Sequence, residues 1–294
     1  MSPRRVQVRV PATSANLGPG FDCLGLALDL WGTLTVTVVE APAPQDGMGR
    51  LAAQAAGCLF ARHQQPLPPL RIAYDGGVPV ARGLGASAVA RVGGLLAACA
   101  LLGQEPDPHA LLPLAAELEG HADNAAPALL GGLQVAVRRD DGSYLCWGLP
   151  PPPGLGAVLF VPRRELPTAQ ARRVLPQKVS REDAVYNIGR AALLVGALAS
   201  GDLHYLAEAT RDRLHQPHRF RLFPALGPLL EAALGAGALG AYLSGAGPAV
   251  CALTNGGEEA VARAMAAEAR RLGVEGEAVV TAPTLRGAHL VAVD

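Results

Sequence analysis

Apolar and polar residues alternate along Arg5–Val10, and β-branched residues crowd Thr33–Glu40, so both segments are predicted strands. Between them, Pro11–Cys23 is too rich in Gly, Pro and Asn for either regular element, and Ala41–Gly49 reads as a second, polar loop. Leu51–His63 and His109–Glu119 have helical patterning, with a strand at Leu70–Tyr74 between them. Val89, Val92, Leu95, Leu96 and Cys99 recur at helical spacing, with no proline until Pro106. Leu133–Arg138 and Tyr144–Leu149 flank Asp140-Asp141-Gly142 and predict a hairpin. The run Pro150–Gly154 is stiff and cannot enter a central strand, which makes it the predicted boundary between domains 1–150 and 151–294. Beyond it, strands are predicted at Ala157–Val161, Ala241–Leu243, Ala249–Leu253, Ala278–Thr281 and Gly287–Val293. Helices are predicted over Arg181–Ala199, Leu203–Leu214, Ala225–Ala236 and Glu258–Arg271. Strands mixed with helices, several in hairpins, predict an α+β fold.

Composition narrows the partners. Half of the 294 residues are apolar, enough for a sizeable core, and aromatics are only 4 %, so Leu, Val and Ala carry the packing. Net charge is zero, which argues against a general nucleic-acid binder. Cys23, Cys58, Cys99, Cys146 and Cys251 are odd in number and scattered, and read as free thiols in a reducing, cytoplasmic setting. The N-terminus alternates like a strand and has no apolar leader core. The uncharged stretch Ala232–Gly257 is broken by glycines and Pro248, so no membrane-spanning helix is expected.

Four segments carry candidate chemistry. In Val78–Ala90, Gly83, Gly85, Ala86 and Ser87 precede a helix, the arrangement that aims backbone N–H groups and a positive dipole end at an anion. Glycines serving close packing at a helix start fit the same residues. The usual lysine-bearing phosphate loop is excluded, because the only lysine is Lys178. Ser87 is placed either to ligate Mg²⁺ or to cap the helix. In Glu117–Pro127, carboxylates suit Mg²⁺, whereas Asp123 or Asn124 also suits a helix cap; His121 has no second His or Cys at metal-ligand spacing. Leu243–Val250 is a glycine turn, either a plain tight turn or a ring of N–H groups facing a ligand. The loop Thr13–Asp22 offers Ser14, Asn16 and Asp22.

The order of Val10–Gly25, Arg82-Gly-Leu-Gly-Ala-Ser87 and Ser244-Gly-Ala-Gly-Pro248 resembles the GHMP small-molecule kinases. Gly120–Gly132, Pro167–Arg172 and Asp212–Arg219 are similar to the branch of that family acting on homoserine. The resemblance implies an N-terminal domain like ribosomal protein S5 domain 2 and a ferredoxin-like C-terminal domain. It implies Mg-ATP-dependent phosphorylation of the L-homoserine hydroxyl to O-phospho-L-homoserine, in threonine biosynthesis. ATP would lie on Pro79, Val80, Ala81, Arg82, Gly83, Leu84, Gly85, Ala86 and Ser87. Mg²⁺ would be held by Ser87 and Glu117, with Glu119 the alternative because spacing before the histidine varies. The amino-acid pocket would comprise Asn16, Asp22, His121, Asp123, Asn124, Arg172 and Arg219, with Asn16, Asp123 and Asn124 the catalytic candidates and Asp123 either a general base or an orienter. A homodimer is an allowed assembly, since homodimers are common in the family. Two departures stand out: Ala86 replaces a common serine, and Gly49-Arg50-Leu51 replaces the usual Asn-Leu-Ile. With that Asn lost, Arg50 is the alternative contact for adenine. A mevalonate- or sugar-directed kinase, or a non-catalytic binding protein on the same fold, are the competing readings.

Overall fold

The computed structural model describes residues 3–41 and 43–294; Met1, Ser2 and Pro42, the last within the predicted Ala41–Gly49 loop, lie outside them. The first sheet is built on two long strands, β1 (Arg5–Ala15) and β2 (Leu24–Val38). Both run further than their sequence suggested. Thr13, Ser14 and Ala15 pair with Ala27, Leu26 and Gly25, and the ladder absorbs Pro11, which has no N–H to donate, at a register shift. Only Asn16–Cys23 is left as loop. Helix α1 (Gly47–Arg62) starts earlier than predicted because Asp46 accepts the Gly49 N–H at 2.6 Å and caps it.

β3 (Leu70–Gly76) pairs with the outer half of β2. Helices α2 (Ala86–Leu101), α3 (Pro108–Glu119) and α4 (Ala125–Leu130) follow, then the hairpin β4 (Leu133–Arg138) and β5 (Tyr144–Leu149), as predicted. Val6, Val8 and Val10 alternate into one core with Val89, Val92, Leu95 and Leu96 of α2.

The second sheet has the order β7-β8-β6-β9, all antiparallel: β6 (Gly156–Pro162), β7 (Gly240–Leu243), β8 (Val250–Thr254) and β9 (Gly276–Thr281). Every residue of β6 is buried. Val158 and Phe160 pack with α9 (Leu226–Gly235) and α10 (Glu258–Arg271), while Ala157 and Leu159 join the core of the first sheet. Between β6 and β7 lie α5 (Thr168–Arg173), α6 (Arg181–Ser200), α7 (Leu206–Ala209) and α8 (Gln216–Arg219).

Two expectations are corrected here. The helix predicted over Leu203–Leu214 ends at Ala209, because the Asp212 carboxylate accepts the backbone N–H groups of Leu214, His215 and Gln216 and turns the chain. The division 1–150 and 151–294 separates the sheets only as far as β9. The last strand, β10 (His289–Val293), pairs with β1 in the first sheet. No described helix is long and apolar enough to cross a membrane, and all five cysteines are free.

Candidate active site

A cavity of about 420 Å³ opens where the start of α2, the β1–β2 loop, the α3–α4 connection and the β7–β8 turn converge. One end of it is the beginning of α2. Gly83 and Gly85 take φ of +78° and +71°, and no side chain caps the helix. Its first N–H groups are therefore left for an anion. The loop is held from behind: Thr13 N–H donates to Leu84 O, and Ser244 Oγ donates to Gly83 O at 2.7 Å while accepting from Ser14 Oγ. A Cβ on Gly85 would fall 1.9 Å from Thr13 Oγ1. Gly85→Ala therefore adds a clash to a left-handed strain of about 1–2 kcal/mol. The expected result is a raised ATP KM and a lower Tm, read by steady-state kinetics and thermal unfolding.

Of the predicted phosphate loop, Val80, Ala81, Gly83, Gly85, Ala86 and Ser87 line the cavity. Pro79, Arg82 and Leu84 do not. Leu84 is buried as an anchor, and Arg82 turns away to Pro162 O, Arg163 O and Glu165. Arg50 is also outside the cavity, bonded to Gln45 O, while Gly47, Met48 and Leu51 of α1 line it.

The Glu117 assignment is corrected. Residues two apart on a helix point about 200° apart, and Glu117 faces solvent, paired with Arg62. Glu119 faces the cavity; its Oε2 accepts from Ser87 Oγ at 3.0 Å and its Oε1 pairs with Arg91.

All seven residues predicted for the amino-acid pocket line the same cavity. Asn16 Nδ2 donates to Gly245 O, and Asn16 Oδ1 accepts the Asp22 N–H, which fixes the loop. Asp22 and Arg172 form a bidentate pair at 2.6 and 2.9 Å. Asp123 is 2 % exposed and accepts from His121 Nδ1 and from Asn124 Nδ2. Gly25 admits this turn: a Cβ there would lie 1.7 Å from Asp123 O.

Burial pushes the His121 pKa down, but the Asp123 hydrogen bond and the charges of Asp123 and Glu119 outweigh it, leaving a net rise above 6.5. The folded protein thus holds a proton that the unfolded chain releases. The pair's stabilisation is fully present below about pH 6.5 and is lost as pH rises through the folded-state pKa. His121→Gln is expected to flatten that part of a Tm-against-pH curve.

Arg219 is 2 % exposed, donates to Gly245 O at 2.9 Å and to His215 Nδ1 at 3.0 Å, and lies over Phe21. Burial first, and then the neighbouring Arg172 charge, lower its pKa to about 10, so it stays cationic at neutral pH. His215 is fully buried; burial pushes its pKa down to about 4, and its Nε2–H donates to Gly18 O. It is therefore a neutral link between the β1–β2 loop and Arg219. Sequence reasoning missed Arg91, Thr168 and His215. Arg91 was legible as the residue four after Ser87, on the same helix face.

An uncapped helix start that shares one cavity with carboxylates and an arginine pair suits a small-molecule phosphotransferase, and both halves of the chain match that class. Residues 50–132 match the GHMP kinases N terminal domain, and residues 194–271 match the GHMP kinases C terminal domain. Curated homoserine kinases are similar over most of the chain. That of Moorella thermoacetica is 44 % identical, covering 97 % of this chain and 99 % of its own. That of Thermus thermophilus is 45 % identical over 88 % of this chain and 90 % of its own. The chain belongs to the GHMP kinase family, on its homoserine kinase branch. A crystal structure of homoserine kinase from Cytophaga hutchinsonii superposes with a TM-score of 0.88 at 28 % identity, over 98 % of this chain and 97 % of that one. Mevalonate kinase of L. major, at 17 % identity and TM-score 0.68, shares the fold, covering 97 % of this chain and 96 % of its own.

Proposed function

We propose that the protein transfers the γ-phosphoryl group of ATP to the side-chain hydroxyl of L-homoserine. The observation that carries this reading is one cavity holding an uncapped helix start at one end and Asp22, Arg172 and Arg219 at the other. A zwitterionic amino acid needs an anion for its ammonium and a cation for its carboxylate. In this structure Asp22 and Arg172 satisfy each other. The substrate exchanges that pair for two of its own, ammonium on Asp22 and carboxylate on the Arg172 and Arg219 forks. Mevalonate has no ammonium to release Asp22, and a sugar has no use for the arginines.

The hydroxyl oxygen then lies toward Asp123. It forms the new bond to the γ-phosphorus, the bond to the ADP oxygen breaks, and the hydroxyl proton passes to Asp123. His121 and Asn124 hold that carboxylate in place. The α2 N–H groups meet the developing charge on the phosphate oxygens. Ser87 Oγ and the Glu119 carboxylate are adjacent hard oxygen donors, the set that suits Mg²⁺ bound mainly through substrate phosphates. When bound, Mg²⁺ neutralises phosphate charge. Five free thiols accord with a reducing cytoplasm.

ADP release from the purified protein with Mg-ATP tests the reading, comparing L-homoserine, mevalonate, galactose and no acceptor. Release only with homoserine, with phosphohomoserine by mass spectrometry, is the expected result. Release with another acceptor discards the pocket assignment. No release from folded protein brings forward a non-catalytic binding role.

A further inference from the structure

A nucleoside triphosphate brings several negative charges, and most cations near its end of the cavity are already committed. Arg82 lies in the glycine loop but donates to Pro162 O and Arg163 O and pairs with Glu165. Arg172 is bound to Asp22, and Arg219 to Gly245 O and His215, both toward the amino-acid end. The only lysine, Lys178, does not line the cavity.

Arg91 remains. It lies one turn beyond Ser87 on α2, on the same face, and lines the cavity beside Ser87 and Glu119. Its guanidinium rests on Glu119 Oε1, the carboxylate that also takes the Ser87 hydroxyl. Its side chain is 18 % exposed, yet its Nε–H is buried with no hydrogen-bond partner among the described residues. A guanidinium carries five donors in a fixed fork, and a buried donor left unmade destabilises. The guanidinium is therefore under-satisfied where it lines the cavity beside the uncapped start of α2.

We propose that Arg91 is a further catalytic residue, the cation that grips the terminal phosphate of the bound triphosphate. In this structure it rests on Glu119. With nucleotide its guanidinium passes to the γ-phosphate oxygens, which offer more charge and more acceptor sites than one carboxylate. The same movement uncovers Glu119 beside Ser87, so phosphate binding and release of the metal-binding carboxylate are one event. Arg91 thereby takes the place of the lysine that ordinary phosphate loops carry and this loop lacks.

The inference rests on the ATP reading above, and its test separates the two. Affinities of the full-length protein for ATP and for ADP are measured by calorimetry in EDTA, without acceptor. Wild type, Arg91→Met and Arg91→Lys are compared, with thermal unfolding recorded for each. Wild type is expected to prefer ATP. Arg91→Met is expected to lose about 10-fold or more in ATP affinity and about twofold or less in ADP affinity, with Arg91→Lys between. Single-turnover transfer by Arg91→Met with Mg²⁺ is expected to fall about 10²–10³-fold. A variant that melts earlier but keeps the wild-type ATP preference and rate makes Arg91 a strut between α2 and α3, and overturns the proposal. If Arg91→Met does not fold, Arg91→Lys decides: a reduced ATP preference supports the proposal and a wild-type preference overturns it. A wild-type protein that binds neither nucleotide in EDTA and releases no ADP from Mg-ATP with homoserine overturns both readings, whereas normal wild-type turnover with variants indifferent in affinity and in single-turnover rate overturns this one alone.

Discussion

Asp123→Asn is expected to slow phosphoryl transfer by about 10²–10⁴-fold, the range for loss of a positioned general base, with little change in the KM for ATP. Asp123 is 2 % exposed, and its Oδ1 accepts from both His121 Nδ1–H and Asn124 Nδ2–H. Asparagine keeps the shape and one acceptor oxygen, so it can still orient the hydroxyl, but it cannot take a proton at neutral pH. Phosphoryl transfer through a loose transition state depends mainly on positioning and charge, and the variant separates positioning from proton removal. A loss of only a few fold, in single-turnover measurements on folded protein, would show that Asp123 merely orients the acceptor.

Arg219→Leu is expected to raise the homoserine KM about 10- to 150-fold, the loss of a hydrogen bond to a charged group at about 1.5–3 kcal/mol, while the ATP KM stays near its wild-type value. The structure adds a second consequence. The Arg219 guanidinium is also the donor to Gly245 O and to His215 Nδ1, and both acceptors are buried. The leucine variant leaves His215 Nδ1 without a donor and Gly245 O with Asn16 Nδ2 alone, so its Tm should fall as well. Arg219→Lys keeps the charge but not the fork, and is expected to recover part of the stability and little of the affinity. An unchanged homoserine KM in Arg219→Leu would remove this arginine from the carboxylate clamp.

The site was more legible than the fold in some respects. Asn16, Asp22, His121, Asp123, Asn124, Arg172 and Arg219 come from four separated stretches of chain, yet all reach one cavity. Their motifs are local in sequence and each sits at an element end or loop, where backbone pattern and side-chain chemistry coincide. Glu117 against Glu119 was not decidable without a helix phase, because both fall near the α3 terminus, where apolar periodicity runs out. The hairpin of β4 and β5 and helix α10 were readable from strong local periodicity. The inner ends of β1 and β2 were not. Thr13–Ala15 looks like loop next to Asn16 and Gly18, and only pairing with β2, a non-local event, makes it strand. The turn that ends α7 was hidden for a different reason: Asp212 reads as an ordinary helix residue until its carboxylate is seen to accept three backbone N–H groups. Arg91 was overlooked because a single arginine in an otherwise apolar helix reads as a solvated interruption, whereas the structure puts it 18 % exposed at the cavity wall.

The return of β10 to β1 has a consequence for the order of assembly. The strand completing that edge follows every other strand in chain order, since Val6 pairs with Val293 and Gln7 with Ala292. Until β10 has emerged from the ribosome, β1 keeps a bare edge, and the N-terminal half stands as an unfinished sheet. Closure joins strands far apart in sequence, the kind of distant pairing that slows folding. Nascent chains stalled before His289 are therefore expected to be far more protease-sensitive than chains in which β10 has emerged, even with every candidate site residue already translated.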